Sequence, residues 1–568
     1  RTLSPTRVPF PSFRVSTQWT SSRSVVSGSR APSLSGIATG YCDSRASSRH
    51  VQRNDAYAAW TRSMISLSEK ALLFWDWRWL TTAIVFLLSY HVFRFYRKVS
   101  KYPKGPVPLP FVGNLLSLRN ETKLYKKAEE WSRQYGDPFT LWMGEKPTVI
   151  LNSHQVVREA FVDKRHEFAG RFRIKLGVLQ TQGNHDILFE DYNPTWKALR
   201  KVALTAVRKY AISESLETLC TEVVDAYVDS LEKGSNTVDS KYPFMFIIFN
   251  IVGTSVFGTK FDKDSHELTR MRQVNQVFTE VAPNGLPSDI VPWLGILYRK
   301  TEKKMEALFT ELFEILDGLY KRAARSYVPG IIGNFTHSML AAREEALQQE
   351  KSDAQYLTEA NMVQILIDIF GGATESSIGT MRWLCLTLAR RTDLQKTIQQ
   401  EIEDNIGSSP PTLKDRDRLP YTVACIYETL RVYPVGPLGF PHNTCCDTQA
   451  GGKFIPKNTG ILYNIHAVNH DPALWKDPEV FRPERFLDPV TGKLNLEGQP
   501  QLLSFGLGPR TCPGEKLGQM DIFYVLVRLL QRVSFGVPDG TSSTDINQLA
   551  SSVFLMPAVQ EIVLTRMY

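Results

Sequence analysis

The sequence predicts a mainly α-helical protein with small β-sheets, preceded by a single N-terminal transmembrane helix. Three observations carry that prediction. Apolar residues recur at helical spacing over Lys197–Tyr210, Thr301–Ala324, Asn361–Arg390 and Leu394–Ile406, the pattern of helices with one buried face. Runs of β character, such as Thr148–Leu151, Gly460–Asn464 and Val553–Leu555, are short and scattered, which suits small sheets. Ala71–Phe93 is predominantly apolar and aromatic, with only Asp76 and Arg78 near its start, and is long enough for a tilted helix to cross ~30 Å of hydrocarbon.

The segments around that stretch set the domain plan. Residues 1–63 are rich in Ser, Arg and Thr, show no sustained period and do not begin with Met. They read as a non-core extension: translated upstream sequence with Met64 as the start, or an organelle transit peptide. Residues 64–98 read as the membrane anchor. Arg94, Arg97, Lys98, Lys101 and Lys104 follow the apolar stretch, as expected of a cytosolic flank, which puts the bulk of the protein on the cytosolic side of the endoplasmic reticulum; a transit peptide would instead point to the mitochondrial inner membrane. Residues 99–114 contain Pro103, Pro106, Pro108 and Pro110, a stiff connector in which no helix can continue. Residues 115–568 are the globular remainder.

Composition excludes several function classes. Hydrophobic residues at 43%, aromatic at 11% and charged at 22% of 568 residues describe a packed globule rather than a disordered chain. The net charge is +9, but nine Arg against Asp43 and Asp55 place +7 of it in residues 1–63, leaving +2 for the rest. Basicity confined to one terminus, without interleaved aromatics, is not a nucleic-acid surface. The seven cysteines, Cys42, Cys220, Cys385, Cys425, Cys445, Cys446 and Cys512, form no CxxC pair, which argues against a disulfide scaffold or zinc module.

Phe505-Gly506-Leu507-Gly508-Pro509-Arg510-Thr511-Cys512-Pro513-Gly514 is the strongest local signal, lying just before the apolar helical stretch Lys516–Leu530. Glycines and prolines bend the chain around one Cys. A helix start, turned N–H groups and Arg510 beside the sulfur favour a thiolate, and a thiolate is a strong axial donor to haem iron. Five fixed positions, Phe505, Gly508, Arg510, Cys512 and Gly514, meet by chance in such a chain on the order of once in ten thousand. Gly506-x-Gly508 lacks the third glycine and framing strand of a dinucleotide site.

These residues resemble the cytochrome P450 family, and further motifs extend the resemblance over roughly Pro103 to the C-terminus. Glu428-Thr429-Leu430-Arg431 and the later Pro483-Glu484-Arg485-Phe486 match family segments, which implies a buried ion network of Glu428, Arg431 and Arg485. Such a network specifies geometry more than it adds stability. Asp368–Ser377 lies within a helical stretch, where Gly371 and Gly372 would each cost roughly 1 kcal/mol and so point to a bulge. It resembles the family's oxygen-binding helix, which gives Glu375 and Ser376 the acid and alcohol positions for proton delivery. Ser376 stands where the family usually has Thr, and Ala373 where it usually has glycine. Trp196 with Arg200, Arg510 and His442 resemble the family's contacts to the haem propionates.

The resemblance implies the P450 fold, haem b held by Cys512, and insertion of one oxygen atom from O2 into a lipophilic substrate. Electrons are expected from a membrane-bound NADPH-dependent reductase, with cytochrome b5 a further candidate, because the chain carries no flavin, nicotinamide or cluster motif of its own. Asp186–Phe189, Tyr192-x-Pro194-x-Trp196 and Asp368–Glu375 look most like the animal microsomal group that includes steroid 17-alpha-hydroxylases and aryl hydrocarbon hydroxylases. Phe172–Leu188, Val277–Leu297, Ile365–Thr374, Val435–Phe440 and Val553–Phe554 are the expected pocket lining. A haem-thiolate isomerase or dehydratase, and a non-catalytic haem sensor or carrier, are the alternatives; Glu375 and Ser376 argue against the isomerase.

Overall fold

The computed structural model describes residues 59–66, 77–119, 121–172, 174–262, 265–281, 287–290, 295–349, 351–540 and 554–567. Its contacts divide the chain into two units, Arg1–Leu87 and Leu88–Tyr568.

In the first unit, helix α1 (Trp77–Val99) begins and exposes Trp79, Leu80, Ile84, Val85, Phe86 and Leu87. Its described part runs from Trp77 on through His91, Arg94, Arg97 and Lys98, because lysine and arginine are good helix formers and Pro103 is the first residue to stop it. Those basic residues dilute its apolar character. Among the described residues, no helix is long and apolar enough to cross a membrane. Residues 71–76 of the expected span, nearly all of the 1–63 extension and parts of the expected pocket lining (173, 282–286, 291–294 and 553) lie outside the described residues.

The second unit is helical around small sheets, as predicted. The C-terminal half of α1 is pinned there by Phe95, buried edge-on against Trp142 at 5.3 Å; Tyr102 meets the same ring at 5.3 Å. Strands β1 (Phe139–Met143) and β2 (Lys146–Leu151) follow. Next come α2 (Pro194–Tyr210), α3 (Glu214–Asp229), β3 (Ser235–Asp239), α4 (Tyr242–Phe257), α5 (Gly295–Arg325), α6 (Glu359–Arg390), α7 (Thr392–Asn405) and α8 (Pro420–Val432). The chain ends with β4 (His442–Asn443), β5 (Thr448–Ala450), β6 (Lys453–Ile455), β7 (Gly460–Tyr463), α9 (Glu515–Arg532), β8 (Val533–Gly536) and β9 (Glu561–Arg566).

Local chemistry sets these boundaries. Pro194 opens α2 where its missing N–H costs nothing, and the Asn193 side chain accepts from the Trp196 N–H at 2.8 Å, a helix cap. Thr358 caps α6 in the same way. One sheet has the order β1-β2-β7-β4, with β2 and β7 parallel and the outer pairs antiparallel; a second runs β3-β9-β8, and β5 pairs with β6. The expected strand at Val553–Leu555 is not one: residues 554–556 have no regular structure, and the pairing falls on Glu561–Arg566. Register explains it, since Ile562 and Leu564 put their side chains into the core on alternate positions.

Helix α6 is the axis of the main core and packs against α4, α5, α8 and α9. Nearly every residue from Asn361 to Phe370 and from Ser377 to Ala389 is buried. The expected bulge at Gly371 and Gly372 is absent, because the α-helical pattern runs through them unbroken. Hydroxyls instead bond back to the carbonyls of that turn: Thr374 Oγ1 donates to Phe370 O at 2.9 Å and Ser376 Oγ to Gly372 O at 2.7 Å.

Candidate functional site

The Cys512 loop is shaped by two glycines with left-handed backbone, Gly506 (φ +74°) and Gly508 (φ +77°). A Cβ on Gly508 would stand 2.1 Å from the Phe161 carbonyl oxygen, so only glycine fits. A single turn at Gly508–Arg510 then brings Cys512 back under Phe505, whose carbonyl accepts the Cys512 N–H at 2.8 Å. Gly514 immediately precedes α9.

Cys512 lies deep in the protein yet keeps an accessible side chain, so open internal space borders the sulfur. Burial pushes its thiol up to about 11, against the opposing pull of the Gly514 N–H and Arg200. The thiolate-favouring surroundings read from the sequence are therefore outweighed by desolvation. Arg510 is also not the cation that acts: its Nε donates to Ala169 O at 2.7 Å and its Nη2 to Glu190 O at 2.8 Å. Arg200 takes that place and donates to the Thr511 carbonyl.

Beside the loop three arginines converge. The Trp196 ring underlies Arg510 at 4.2 Å and Arg200 at 5.4 Å, while Trp196 Nε1 donates to Ile187 O at 3.1 Å. Arg171 Nη1 donates to Pro441 O at 2.6 Å and its Nε to Leu188 O at 3.1 Å. Arg171, Arg200 and Arg510 are all buried, and among the described residues none of them forms an ion pair with a carboxylate within 4.0 Å. Burial lowers Arg200 and Arg510 to about 10 and also holds Arg171 well below its ordinary value, with Arg510 and Arg200 adding to the Arg171 shift. Arg510 Nη1 is buried without a partner. Crowded, unpaired cations of this kind call for an anion.

His442 is buried on β4, and its Nδ1 lies 2.9 Å from Phe168 O. A carbonyl only accepts, so Nδ1 carries the proton, and burial together with Arg171 keeps the ring neutral. In that tautomer Nε2 is an acceptor, and donation to a carboxylate requires a protonated ring.

On α6, a Cβ at Gly371 or Gly372 would meet nothing within 4 Å. Ser376, one turn beyond Gly372, is also exposed, so this face borders open space in the middle of a buried helix. Glu375 is half-buried, and its charge is felt at Arg382, which burial lowers to about 10.

Glu428, Arg431 and Arg485 meet as expected. Glu428 and Arg431 are fully buried, with Arg431 Nε 2.7 Å from Oε2 and Nη2 2.8 Å from Oε1; Arg485 Nε approaches Oε1 at 3.0 Å. From there Arg431 Nη1 donates to Asn469 O at 2.8 Å, the Leu503 N–H donates to Asn469 Oδ1 at 3.2 Å, and Ser504 Oγ donates to Leu430 O at 2.7 Å. The network thus holds the strand of chain that leads into Phe505.

Sequence reasoning missed Arg171 and the pairing of Asp186 with Asp368. An isolated cation in the run Phe168-Ala169-Gly170-Arg171-Phe172 was the available signal for the first. Asp368 Oδ2 accepts from the Ile187 N–H at 2.9 Å, and Asp186 accepts from the Phe189 and Glu190 N–H groups. Burial, reinforced by their mutual repulsion, raises Asp368 well above the carboxylate range; burial raises Asp186 to about 6.

Among the described residues no three His, Cys, Asp or Glu side chains converge as metal ligands. An iron at Cys512 must therefore bring most of its own coordination, as a porphyrin does, and three unpaired arginines match two propionates. The residues fit haem. A family model described as cytochrome P450 matches residues 103–564. The chain is 30% identical to the steroid 17-alpha-hydroxylase/17,20 lyase of Ovis aries, over 81% of this chain and 92% of that protein. It is also 30% identical to cytochrome P450 1A1 of Rattus norvegicus, over 81% and 90%. A zebrafish cytochrome P450 solved with progesterone superposes with a TM-score of 0.68 at 29% identity, covering 78% of this chain and 98% of that one. With the match spanning the Cys512 loop, the arginine cluster and the Glu428 network alike, the chain belongs to the cytochrome P450 family.

Proposed function

We propose that this monooxygenase inserts one oxygen atom into a lipophilic, steroid-like or similarly hydrophobic small molecule, with Cys512 as the residue whose thiolate would hold haem iron. The observation that carries this reading is the accessible Cys512 sulfur beside three buried arginines without carboxylate partners. Haem, when bound there, supplies the iron at which dioxygen is activated.

The chain's own residues do the rest. Arg171, Arg200 and Arg510 would hold the propionates, with Trp196 stacked beneath the last two. Glu428, Arg431 and Arg485 fix the loop that presents the sulfur, and Phe505 closes the loop through its bond from the Cys512 N–H. Glu375 and Ser376 deliver protons from the α6 face. For this the Ser376 hydroxyl need only turn from the Gly372 carbonyl it now contacts, a rotation about one side-chain bond. Substrate class rests on the relatives, a steroid hydroxylase and a P450 1A1, and on the apolar lining read from the sequence.

Electrons come from an NADPH-dependent reductase, with cytochrome b5 as a second donor, at the endoplasmic reticulum membrane. The exposed apolar run of α1 ahead of Arg94, Arg97 and Lys98 supports that location. Purified protein with reductase and NADPH, screened by mass spectrometry against steroids, fatty acids and planar aromatics, tests the reading. An oxygenated product that requires NADPH supports it. Isomerised or dehydrated product formed without NADPH would replace it with the isomerase or dehydratase reading, and binding without turnover would favour a sensor or carrier.

A further inference from the structure

Cys445 and Cys446 are adjacent in the turn between β4 and β5 and serve no part of the site described above. Cys446 is exposed, whereas Cys445 is half-buried. The buried Cys220, Cys385 and Cys425 are all pushed up by desolvation and are closed to solvent reagents. The Cys445 sulfur lies against Gly170: a Cβ there would stand 3.2 Å from it. Gly170 exchanges two backbone hydrogen bonds with Asn443, at 3.0 and 2.9 Å, and the Cys445 N–H donates to Glu167 O at 2.7 Å. The same short stretch supplies the Phe168 carbonyl beside His442 and the Ala169 carbonyl that holds Arg510.

We propose that Cys445 and Cys446 form a reversible redox switch, a vicinal dithiol that a hydroperoxide closes into a disulfide ring and thereby loosens the arginine cradle. It rests on the reading of that cradle as the propionate site. The exposed Cys446 thiolate attacks the peroxide, the O–O bond breaks, water or an alcohol leaves, and a sulfenic acid forms. The Cys445 thiol then attacks that sulfur and a second water leaves, so two thiols and one hydroperoxide give one disulfide. Cys446 reacts first because it is the accessible one, while burial and Asp191 keep Cys445 protonated.

Adjacent Cα atoms lie about 3.8 Å apart across a trans peptide, short of the roughly 4.4–6.8 Å that a disulfide prefers. The ring is therefore strained and easily reduced, the property of labile regulatory disulfides. Closing it must turn the Cys445–Cys446 peptide, and that displaces the contact with Gly170 and the ladder that aligns Ala169 with Arg510.

The test treats holoenzyme with hydrogen peroxide, removes the excess, alkylates the remaining thiols and maps the peptide that spans both cysteines. Cys446→Ser is carried through in parallel as the control for direct damage to haem. The expected result is a peptide lighter by two hydrogens, unalkylated at both cysteines and restored by dithiothreitol. With it, haem transfer to an apo-globin acceptor should accelerate about tenfold, the lower range for losing a supporting contact, and C446S should show neither effect. A sulfinic acid at Cys446, a disulfide to another chain, unreacted thiols, or ring closure with unchanged haem transfer would each overturn the proposal. Ring closure without faster transfer leaves the cradle reading intact; an Arg171→Met variant that also loses no haem would remove the cradle reading itself.

Discussion

Glu428→Gln isolates the charge of the buried network while keeping its shape. The carboxylate accepts four hydrogen bonds: from Arg431 Nε at 2.7 Å, Arg431 Nη2 at 2.8 Å, Arg485 Nε at 3.0 Å and the Arg482 N–H at 2.8 Å. A glutamine removes the negative charge and turns an N–H2 group toward donors. Arg431 has no exposed surface, so it is left as an uncompensated buried cation. Breaking such a pair from one side costs about 3–5 kcal/mol. Urea unfolding of the holoprotein, followed both at the haem band and by far-ultraviolet circular dichroism, measures it where the two transitions coincide. Because the network also grips Asn469 and through it Leu503, haem loss should accelerate in the same variant. Replacing both partners, Glu428→Met with Arg431→Met, leaves only Arg485 without its carboxylate, and since Arg485 keeps its bonds to the Lys476, Asp477 and Val480 carbonyls the double variant should recover part of the loss. A single variant within about 1 kcal/mol of wild type, or a double variant worse than the single one, would refute the reasoning.

Three further outcomes are expected. Ser376→Ala should retain substrate binding but lower product formed per NADPH consumed and raise hydrogen peroxide, since positioned proton transfer is worth about 100-fold to 10,000-fold; Ser376→Thr should lower peroxide below wild type, and equal coupling in all three proteins would exclude the residue from the proton path. Asp521 is buried on α9 and raised by desolvation from 3.8 to about 8. A folded-state pKa raised above the unfolded one gives stability that is fully present below about 4 and is lost as pH rises through about 8, at up to roughly 1.4 kcal/mol per pH unit. Asp521→Asn should flatten that slope in unfolding curves taken from pH 5 to 8, and an unchanged slope would contradict the assignment. Deleting residues 1–63 should leave membrane association and activity intact in fractionated cells; import of the full chain into mitochondria with cleavage near residue 63 would reverse the localisation.

The fold was legible where the chain has a single dominant period. The helices read at Lys197–Tyr210 and Asn361–Arg390 appear as Pro194–Tyr210 and Glu359–Arg390, their extra turns supplied by caps at Asn193 and Thr358 that local pattern carries. What failed depended on partners far away in sequence. Strand β9 is decided by its pairing with β3 and β8, not by the apolar run at Val553–Leu555. In the site, Cys512, Glu428 and Arg431 were visible because their spacing is short and local. Arg171 was not, since its role arises only when β4, the loop at Leu188 and the Arg510 turn come together. The thiol pKa was misread for a related reason: helix start and cation are sequence features, whereas desolvation, the larger effect here, is a property of the packed fold.

The most direct test of the central claim is the absorbance spectrum of the reduced carbon monoxide complex, recorded for wild type and Cys512→Ser. The account predicts the red-shifted band of thiolate ligation in the wild type and its loss in the serine variant, together with loss of monooxygenase activity, because an alcohol does not ionise to supply the same donor. A histidine-type spectrum in the wild type, or a thiolate band that survives in Cys512→Ser, would contradict it.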